Sequence, residues 1–355
     1  MRIRRVFVPV ALAAAAGLIL VGCAKEPIAA GTASGNADAT DSPISVVAST
    51  NVYGQIAETI GGDQVQVTSL ISSGAQDPHS YEPSAEDQLH VSKAELIIEN
   101  GGGYDAFVDA LIESSSSQAE VVTAVQHSDD YPGNAGHEED HHDHEDEAAH
   151  EDGAAHEDGA AHEEEAAHEE GHDHGDHEHI EGFNEHVWYD PHAMEHVAED
   201  IAEHLTELRP NGADYFAANL KAFSSGIETI ETSLDELAAA HKGVTSFQTE
   251  PLAVYLSAAA GIQNGAPDAF TEAVEEGQDV PPATLLESIT LLESGTVSLV
   301  IVNAQTGGAE TDQVEKTANE QSIPIVEFTE TLPEGSSYLD WMTGNVTALA
   351  DVLGT

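Results

Sequence analysis

The spacing of apolar residues between 214 and 240 predicts one long amphipathic helix, which constrains the fold more than any other stretch. Its large apolar side chains follow one another at steps of 4 and 3 residues: Phe216, Leu220, Phe223, Ile227, Ile230, Leu234 and Leu237. At 1.5 Å per residue this helix is about 40 Å long, the length of a small domain. A coiled-coil oligomerisation helix is one interpretation. Strand-like segments on both sides favour another, a spine helix between two lobes.

Strands and helices alternate on both sides of the spine helix. The predicted strands cover 44–48, 65–71, 96–98, 121–125, 244–247, 299–302 and 323–328. This alternation predicts an α/β protein with two lobes, each a mostly parallel sheet flanked by helices. The predicted boundaries are 44–209 for the N-terminal lobe, 210–242 for the spine and 243–355 for the C-terminal lobe. Ligands of such sheets lie in loops beyond the strand ends.

The first 22 residues have the pattern of a lipoprotein signal peptide. Basic residues at the start precede an apolar run that ends in Leu20-Val21-Gly22-Cys23. Cys23 is the only cysteine, so no internal disulfide can form. We expect acyl chains on Cys23 to hold the mature protein at the outer face of a bacterial membrane. Residues 23–43 are predicted to be a flexible tether.

The charge balance limits the possible partners. The chain has 66 acidic and 9 basic residues, for a formal net charge of −57. Phosphate contacts require lysine and arginine, so this balance argues against a nucleic-acid partner. It suits a cation as ligand.

Residues 133–181 form a separate segment that is rich in histidine and acid. Between His137 and His179 there are twelve histidines and nineteen acidic residues, with no lysine or arginine. So few apolar side chains predict a disordered insert. The insert is either a solvated acidic loop without a role or a weak, multisite trap for divalent cations, because imidazole and carboxylate both bind transition metals.

Two compact polar clusters and one helix start hold the candidate ligands. His79 lies in a loop between two prolines, where it is either a surface histidine or a ligand on a stiff loop. His186 opens a polar and aromatic cluster, and Glu250 stands at a helix start, where a carboxylate also serves as a dipole partner. Two imidazoles with one or two carboxylates make a borderline site for a transition metal.

Three segments resemble a known family. Asp77–Pro83, His186–Pro191 and Thr249–Tyr255 are similar to motifs of the zinc and manganese substrate-binding lipoproteins of ABC transporters, the ZnuA/TroA-like group. The resemblance runs from about residue 44 to the C-terminus. The His-rich insert stands where zinc-type members carry theirs.

The resemblance implies a ligand set. His79 and His186 would supply one imidazole each, and Glu250 the third ligand. A fourth, acidic ligand would come from the loop after a late strand of the C-terminal lobe. For that position Glu310 is the first choice and Asp312 the second.

The implied function is capture of a divalent transition metal between the lobes and delivery to an ABC transporter permease. Such a protein would be a monomeric, extracytoplasmic receptor and no enzyme. The His-rich insert favours zinc. Glu250 and a carboxylate as fourth ligand favour manganese or iron(II), which stay open as alternatives.

Two other classes of function remain as hypotheses. An exported zinc metallohydrolase would also use two histidines and a carboxylate, with one open position for water. The sequence has no G-x-S-x-G motif and no cysteine nucleophile, and its H-E-x-x-H strings, at 137–141 and 168–172, fall within the repetitive His-rich insert. An adhesin or metal buffer, with the insert as the whole function, is the other hypothesis.

Overall fold

A computed structural model describes residues 42–76, 78, 81–134, 180 and 182–354. The predicted signal peptide, Cys23, nearly all of the tether and nearly all of the His-rich insert lie outside the described residues. His79 also lies outside them. The part of the chain that is described folds around two four-stranded parallel sheets.

In the described residues, the N-terminal lobe contains four strands and four α-helices. In chain order they are β1 (Ile44–Thr50), α1 (Asn51–Gly61), β2 (Val65–Ile71), α2 (Ala85–Val91), β3 (Leu96–Glu99), α3 (Phe107–Ser115), β4 (Glu120–Thr123) and α4 (Pro191–Leu208). The strand order is β2-β1-β3-β4, and Val46 pairs with Val67 on one side and Leu96 on the other. β1 and β3 are apolar on both faces because helices cover both sides of a parallel sheet.

The spine helix, α5, spans Ala213–Ala240 and confirms the prediction of a long helix to within one residue at its start. Its apolar stripe is buried against α1, α4 and the C-terminal helix of the chain. Phe223, for example, packs against Tyr338 with ring centroids 5.9 Å apart. The apolar stripe is therefore buried inside the molecule, so it is not exposed to form a coiled coil with another chain.

The C-terminal lobe repeats the architecture of the first. Its elements are β5 (Val244–Gln248), α6 (Val254–Ala259), β6 (Ile262–Asn264), α7 (Asp268–Glu275), α8 (Pro282–Glu293), β7 (Leu299–Asn303), α9 (Ala309–Gln321), β8 (Ile325–Phe328) and α10 (Tyr338–Leu353). The strand order is β6-β5-β7-β8, again all parallel. In both sheets the order reverses at the central pair, which leaves a crevice at the carboxyl ends of the strands.

The predicted α/β class with two mostly parallel sheets is confirmed. Strand β6 was missed because it has three residues, of which Gln263 and Asn264 are polar and exposed. Ser84 is the N-cap of α2: it accepts hydrogen bonds from the backbone N–H groups of Glu86 and Asp87 and forms a capping box with Asp87. None of the helices in the described ranges is long and apolar enough to cross a membrane.

Truncation of the spine helix stripe should destabilise the whole molecule. Phe223 is fully buried between helices, so Phe223→Ala should lower the free energy of unfolding by about 3–5 kcal/mol. Urea denaturation followed by circular dichroism measures this loss. Glu228→Ala, an exposed position of the same helix, is the matched control and should change stability by less than about 0.5 kcal/mol. Equal losses in both variants would contradict the assigned packing.

Candidate metal centre

Two carboxylates lie together at the carboxyl ends of the strands of the C-terminal sheet. Glu250 is the second residue after β5, and Glu330 is the second residue after β8. β7, which ends at Asn303, lies between these two strands. Parallel neighbours end at the same edge of a sheet, so all three side chains meet there. Both carboxylates are buried, with 4% of Glu250 and 1% of Glu330 exposed.

Every oxygen of the two carboxylates accepts a hydrogen bond from a neutral group. The Nδ2 atom of Asn303 donates to Glu250 Oε2 at 2.8 Å and to Glu330 Oε1 at 2.6 Å. The hydroxyl of Thr306 donates to Glu250 Oε1, and the hydroxyl of Tyr104 donates to Glu330 Oε2 at 3.1 Å. Burial, followed by the charge of Glu330, raises the pKa of Tyr104, which keeps this phenol protonated and able to donate.

His186 comes from the N-terminal lobe and is fully buried. Asn184 fixes its tautomer. The Asn184 Nδ2 atom donates to the Pro251 carbonyl at 2.9 Å, so its Oδ1 must face His186 Nδ1, which lies 2.8 Å away. Because Oδ1 only accepts, Nδ1 carries the proton, and in the neutral ring Nε2 holds a lone pair of the kind that can bind a metal. Nε2 lies 3.7 Å from Glu275 Oε1.

Aromatic rings connect His186 to the carboxylates. The ring centroid of His186 lies 5.0 Å from that of Trp188 and 6.0 Å from that of Tyr104. Tyr104 and Trp188 are themselves 4.7 Å apart. Tyr104 therefore contacts the imidazole with its ring and Glu330 with its hydroxyl.

The loop after β3 holds the main chain that precedes His186. Asn100 Nδ2 donates to the carbonyl of Glu185 at 3.0 Å. Asp105 accepts from the backbone N–H groups of Asn100 at 2.7 Å and Gly101 at 2.8 Å, which closes the loop. Gly101 has φ 78°, a left-handed conformation, and a Cβ there would lie 2.4 Å from the side chain of Thr123. Glycine is therefore required at this turn.

Hydrogen bonds across the lobes fix the segment that carries Glu330. The hydroxyl of Tyr189 donates to the Thr329 carbonyl at 2.8 Å. Asn51 donates to the Leu332 carbonyl and accepts from the Leu332 N–H, both at 2.9 Å. Glu330 thus stands on a C-terminal-lobe loop that the N-terminal lobe holds on either side of it.

The structure gives the positions of three of the four predicted ligands and of the alternative, Asp312. His186 is buried in the segment before α4 and Glu250 is buried just beyond the end of β5, and their role as ligands stays a prediction. Glu310 is half-buried in the first turn of α9, with its carboxylate close to Gly308, and the contacts found among the described residues do not join it to Glu250. Asp312 is exposed. No comparison or contact tests His79, which stays a prediction.

Glu330 was missed by the sequence reasoning, although a signal was present. β5 and β8 are each followed directly by Thr-Glu, as Thr249-Glu250 and as Thr329-Glu330. The same offset from two parallel strands of one sheet brings both carboxylates to one edge. The sequence alone does not show that β8 lies beside β7 rather than at a distance.

The described residues do not by themselves form a complete metal-binding site. Within the described ranges, no three His, Cys, Asp or Glu side chains lie close enough together to hold a metal ion. Asn303 stands between the two carboxylates, and His79 is outside the described part. A complete site requires a further ligand or a movement of these side chains.

Comparisons with known proteins give one consistent match. The model of a family described as zinc-uptake complex component A, periplasmic, matches residues 46–352. The manganese ABC transporter substrate-binding lipoprotein PsaA of Streptococcus mitis is 24% identical over 358 residues, covering 95% of each chain. This identity leaves the choice of metal open.

Solved structures share the fold. A crystal structure of ZnuA aligns with a TM-score of 0.59 and 18% identity, over 88% of this chain and 98% of that chain. A mutant structure of the laminin-binding adhesin Lmb from Streptococcus agalactiae aligns with a TM-score of 0.62 and 18% identity, over 87% and 99%. At this identity the likeness concerns the fold alone.

The ionisation of Glu99 should make the free energy of unfolding depend on pH. Glu99 is the last residue of β3 and directly precedes the loop that supports His186. Burial, and then the charge of Asp105, raises the pKa of Glu99 to about 7. A carboxyl with a raised pKa in the folded state contributes stability below its unfolded pKa and loses it as the pH rises through 7. Glu99→Gln should therefore be more stable than the wild type at pH 8, by about 1–3 kcal/mol, and the gain should shrink at pH 5.

Urea denaturation of both proteins at pH 5 and pH 8 measures this difference. Glu120→Gln, an exposed glutamate at the start of β4, is the matched control. A gain for Glu99→Gln that is the same at both pH values would show that the ionisation of Glu99 is not its cause.

Proposed function

This chain belongs to the family of periplasmic zinc-uptake complex component A, and on that premise we propose that it captures one divalent transition metal ion between its lobes for delivery to an ABC transporter permease. The family consists of solute-binding receptors rather than enzymes, so the metallohydrolase hypothesis is set aside. The observation that carries the proposal is a pair of buried carboxylates, bridged by Asn303 and linked through Tyr104 to a buried imidazole.

We assign the ligand roles to His79, His186, Glu250 and Glu330. Glu330 replaces Glu310 in this set because it shares Asn303 with Glu250 and receives a bond from the opposite lobe. His79 keeps the role that the sequence motif gave it. The set divides between the lobes, with two histidines from the first and two carboxylates from the second, so that a bound ion would hold both lobes together.

The charge of this set suits a divalent cation. Tyr104, Thr306 and Asn303 are neutral donors, and Glu250 and Glu330 bring two carboxyl groups together at one buried point. Buried charges are stable only when paired. An ion of charge +2 makes the site formally neutral and lowers the cost of enclosing it.

We propose zinc as the ion and retain manganese as the second candidate. Two imidazoles are typical of zinc sites, and the histidines of the insert favour the same metal. The manganese transport protein PsaA, with similarity over nearly the whole chain, and the two carboxylates of the site favour manganese. Similarity to lipoproteins of this kind, such as PsaA, also supports lipid attachment at Cys23, on the outer face of the membrane. The His-rich insert is then an accessory collector of metal.

Substitution of single residues should show whether Glu330 or Glu310 is the fourth ligand. In protein without residues 135–179, Glu330→Ala should weaken zinc binding by about 100-fold or more, because a buried ligand and its charge are lost. Glu310→Ala, the matched control from the neighbouring loop, should leave the affinity within about threefold. Isothermal titration with a competing chelator measures both constants. The reverse result would return the role to Glu310. Two unaffected variants would remove the carboxylate pair from the site.

A competition between the two ions decides the metal. Metal-free protein without residues 135–179 receives zinc and manganese at equal concentration, and the metal retained after gel filtration is counted by mass spectrometry. One zinc per chain, lost in His186→Ala, is the expected result. One manganese per chain would assign manganese uptake instead, and no retained metal would overturn the interlobe site.

A further inference from the structure

The amide group of Asn303 occupies a defined point between the two carboxylates. Its Nδ2 atom lies 2.8 Å from Glu250 Oε2 and 2.6 Å from Glu330 Oε1. A cation that bridged these two oxygens would have to occupy that same point. The residue is 6% exposed and is the last residue of β7, so the sheet fixes its main chain.

The orientation of the amide is determined by its other end. Asn303 Oδ1 accepts a hydrogen bond from the backbone N–H of Gln305 at 3.0 Å. A flipped amide would place Oδ1 against two carboxylate oxygens and would leave this N–H facing Nδ2, so both changes would be unfavourable. Nδ2 donates its two protons to two different carboxylates.

The remaining carboxylate oxygens have more adaptable partners. Glu250 Oε1 and Glu330 Oε2 accept from the hydroxyls of Thr306 and Tyr104. A hydroxyl proton rotates about its C–O bond and finds another acceptor, whereas the amide protons of Asn303 are fixed in a plane. A metal ion can therefore approach these two oxygens, while the amide keeps it away from the space between the other two.

We propose that Asn303 is a positioning residue that limits Glu250 and Glu330 to one metal-facing oxygen each and so favours zinc over manganese. This inference rests on the proposed metal-binding function of the same site. Zinc is commonly four-coordinate with nitrogen and oxygen ligands, whereas manganese prefers a larger set of oxygen ligands. Two carboxylates that offer one oxygen each suit a low coordination number.

The selectivity of the full-length mature chain tests the proposal. The affinities for zinc and manganese are measured separately in the wild type, in Asn303→Ala and in Thr306→Val. The double variant Glu250→Ala/Glu330→Ala serves as the background for metal that binds elsewhere. Asn303→Ala should reduce the preference for zinc by about tenfold, the low end of the effect expected for a group that orients ligands. Thr306→Val should shift both affinities in the same direction and leave their ratio within about threefold.

Cobalt(II) as a probe gives a readout that a general loss of stability would not imitate. One equivalent of cobalt is added to each protein, and the spectrum of the double variant is subtracted. The wild type should show the strong visible absorption of four-coordinate cobalt, and Asn303→Ala should show the weak absorption of a higher coordination number. A weak, six-coordinate spectrum in the wild type would overturn the inference even if Asn303→Ala fails to fold.

The outcomes test the role of Asn303 separately from the proposed metal-binding function. Equal metal binding by the wild type and the double variant would overturn the proposed function, and the inference with it. A site that disappears in the double variant but keeps its zinc preference in Asn303→Ala would overturn the inference alone.

Discussion

The structure depends on the burial of two like charges beside each other. Glu250 and Glu330 share one amide and lie almost without contact to water. Like charges in a medium of low dielectric repel strongly, and neutral hydrogen bonds offset only part of that cost. The fold therefore concentrates two carboxyl groups at one buried point. Folding energy from the rest of the core offsets the cost of this burial, and the divalent cation of the proposed function is a matching counter-charge.

Both sheets have the same strand order, and this order explains how the chain brings the two carboxylates together. Both sheets run 2-1-3-4 in the order of their own strands, so each has its crevice at the carboxyl ends of its central pair. In the C-terminal sheet β7 ends at Asn303, and Glu250 and Glu330 stand two residues beyond the ends of its neighbours β5 and β8. In the N-terminal sheet the turn after β3 places Asn100, which holds the main chain next to His186. Irregular loops carry the chemistry, while the strands fix where those loops begin.

The sequence predicted the parts of this arrangement that depend on local periodicity. The spine helix and seven of the eight described strands have runs of apolar residues long enough to be recognised in the sequence, whereas β6 does not. Glu250 and His186 follow recognisable motifs. Glu330 was missed because its identification requires strand order, a non-local property that periodicity does not contain. Glu310 was preferred because the family resemblance implied an acidic ligand in the loop after a late strand of the C-terminal lobe, and the first turn of α9 directs its carboxylate towards Gly308.

The bonds between the lobes limit how the site can open. Asn51, Gln55 and Tyr189 of the N-terminal lobe bind the segment from Thr329 to Tyr338 of the other lobe. Because Glu330 lies inside this segment, a wide hinge motion would break hydrogen bonds on both sides of this proposed ligand. Release of the Tyr104 hydroxyl from Glu330 breaks one hydrogen bond and requires no such motion. For the proposed function, metal exchange through a rearrangement of side chains therefore keeps the hydrogen bonds between the lobes that their separation would break.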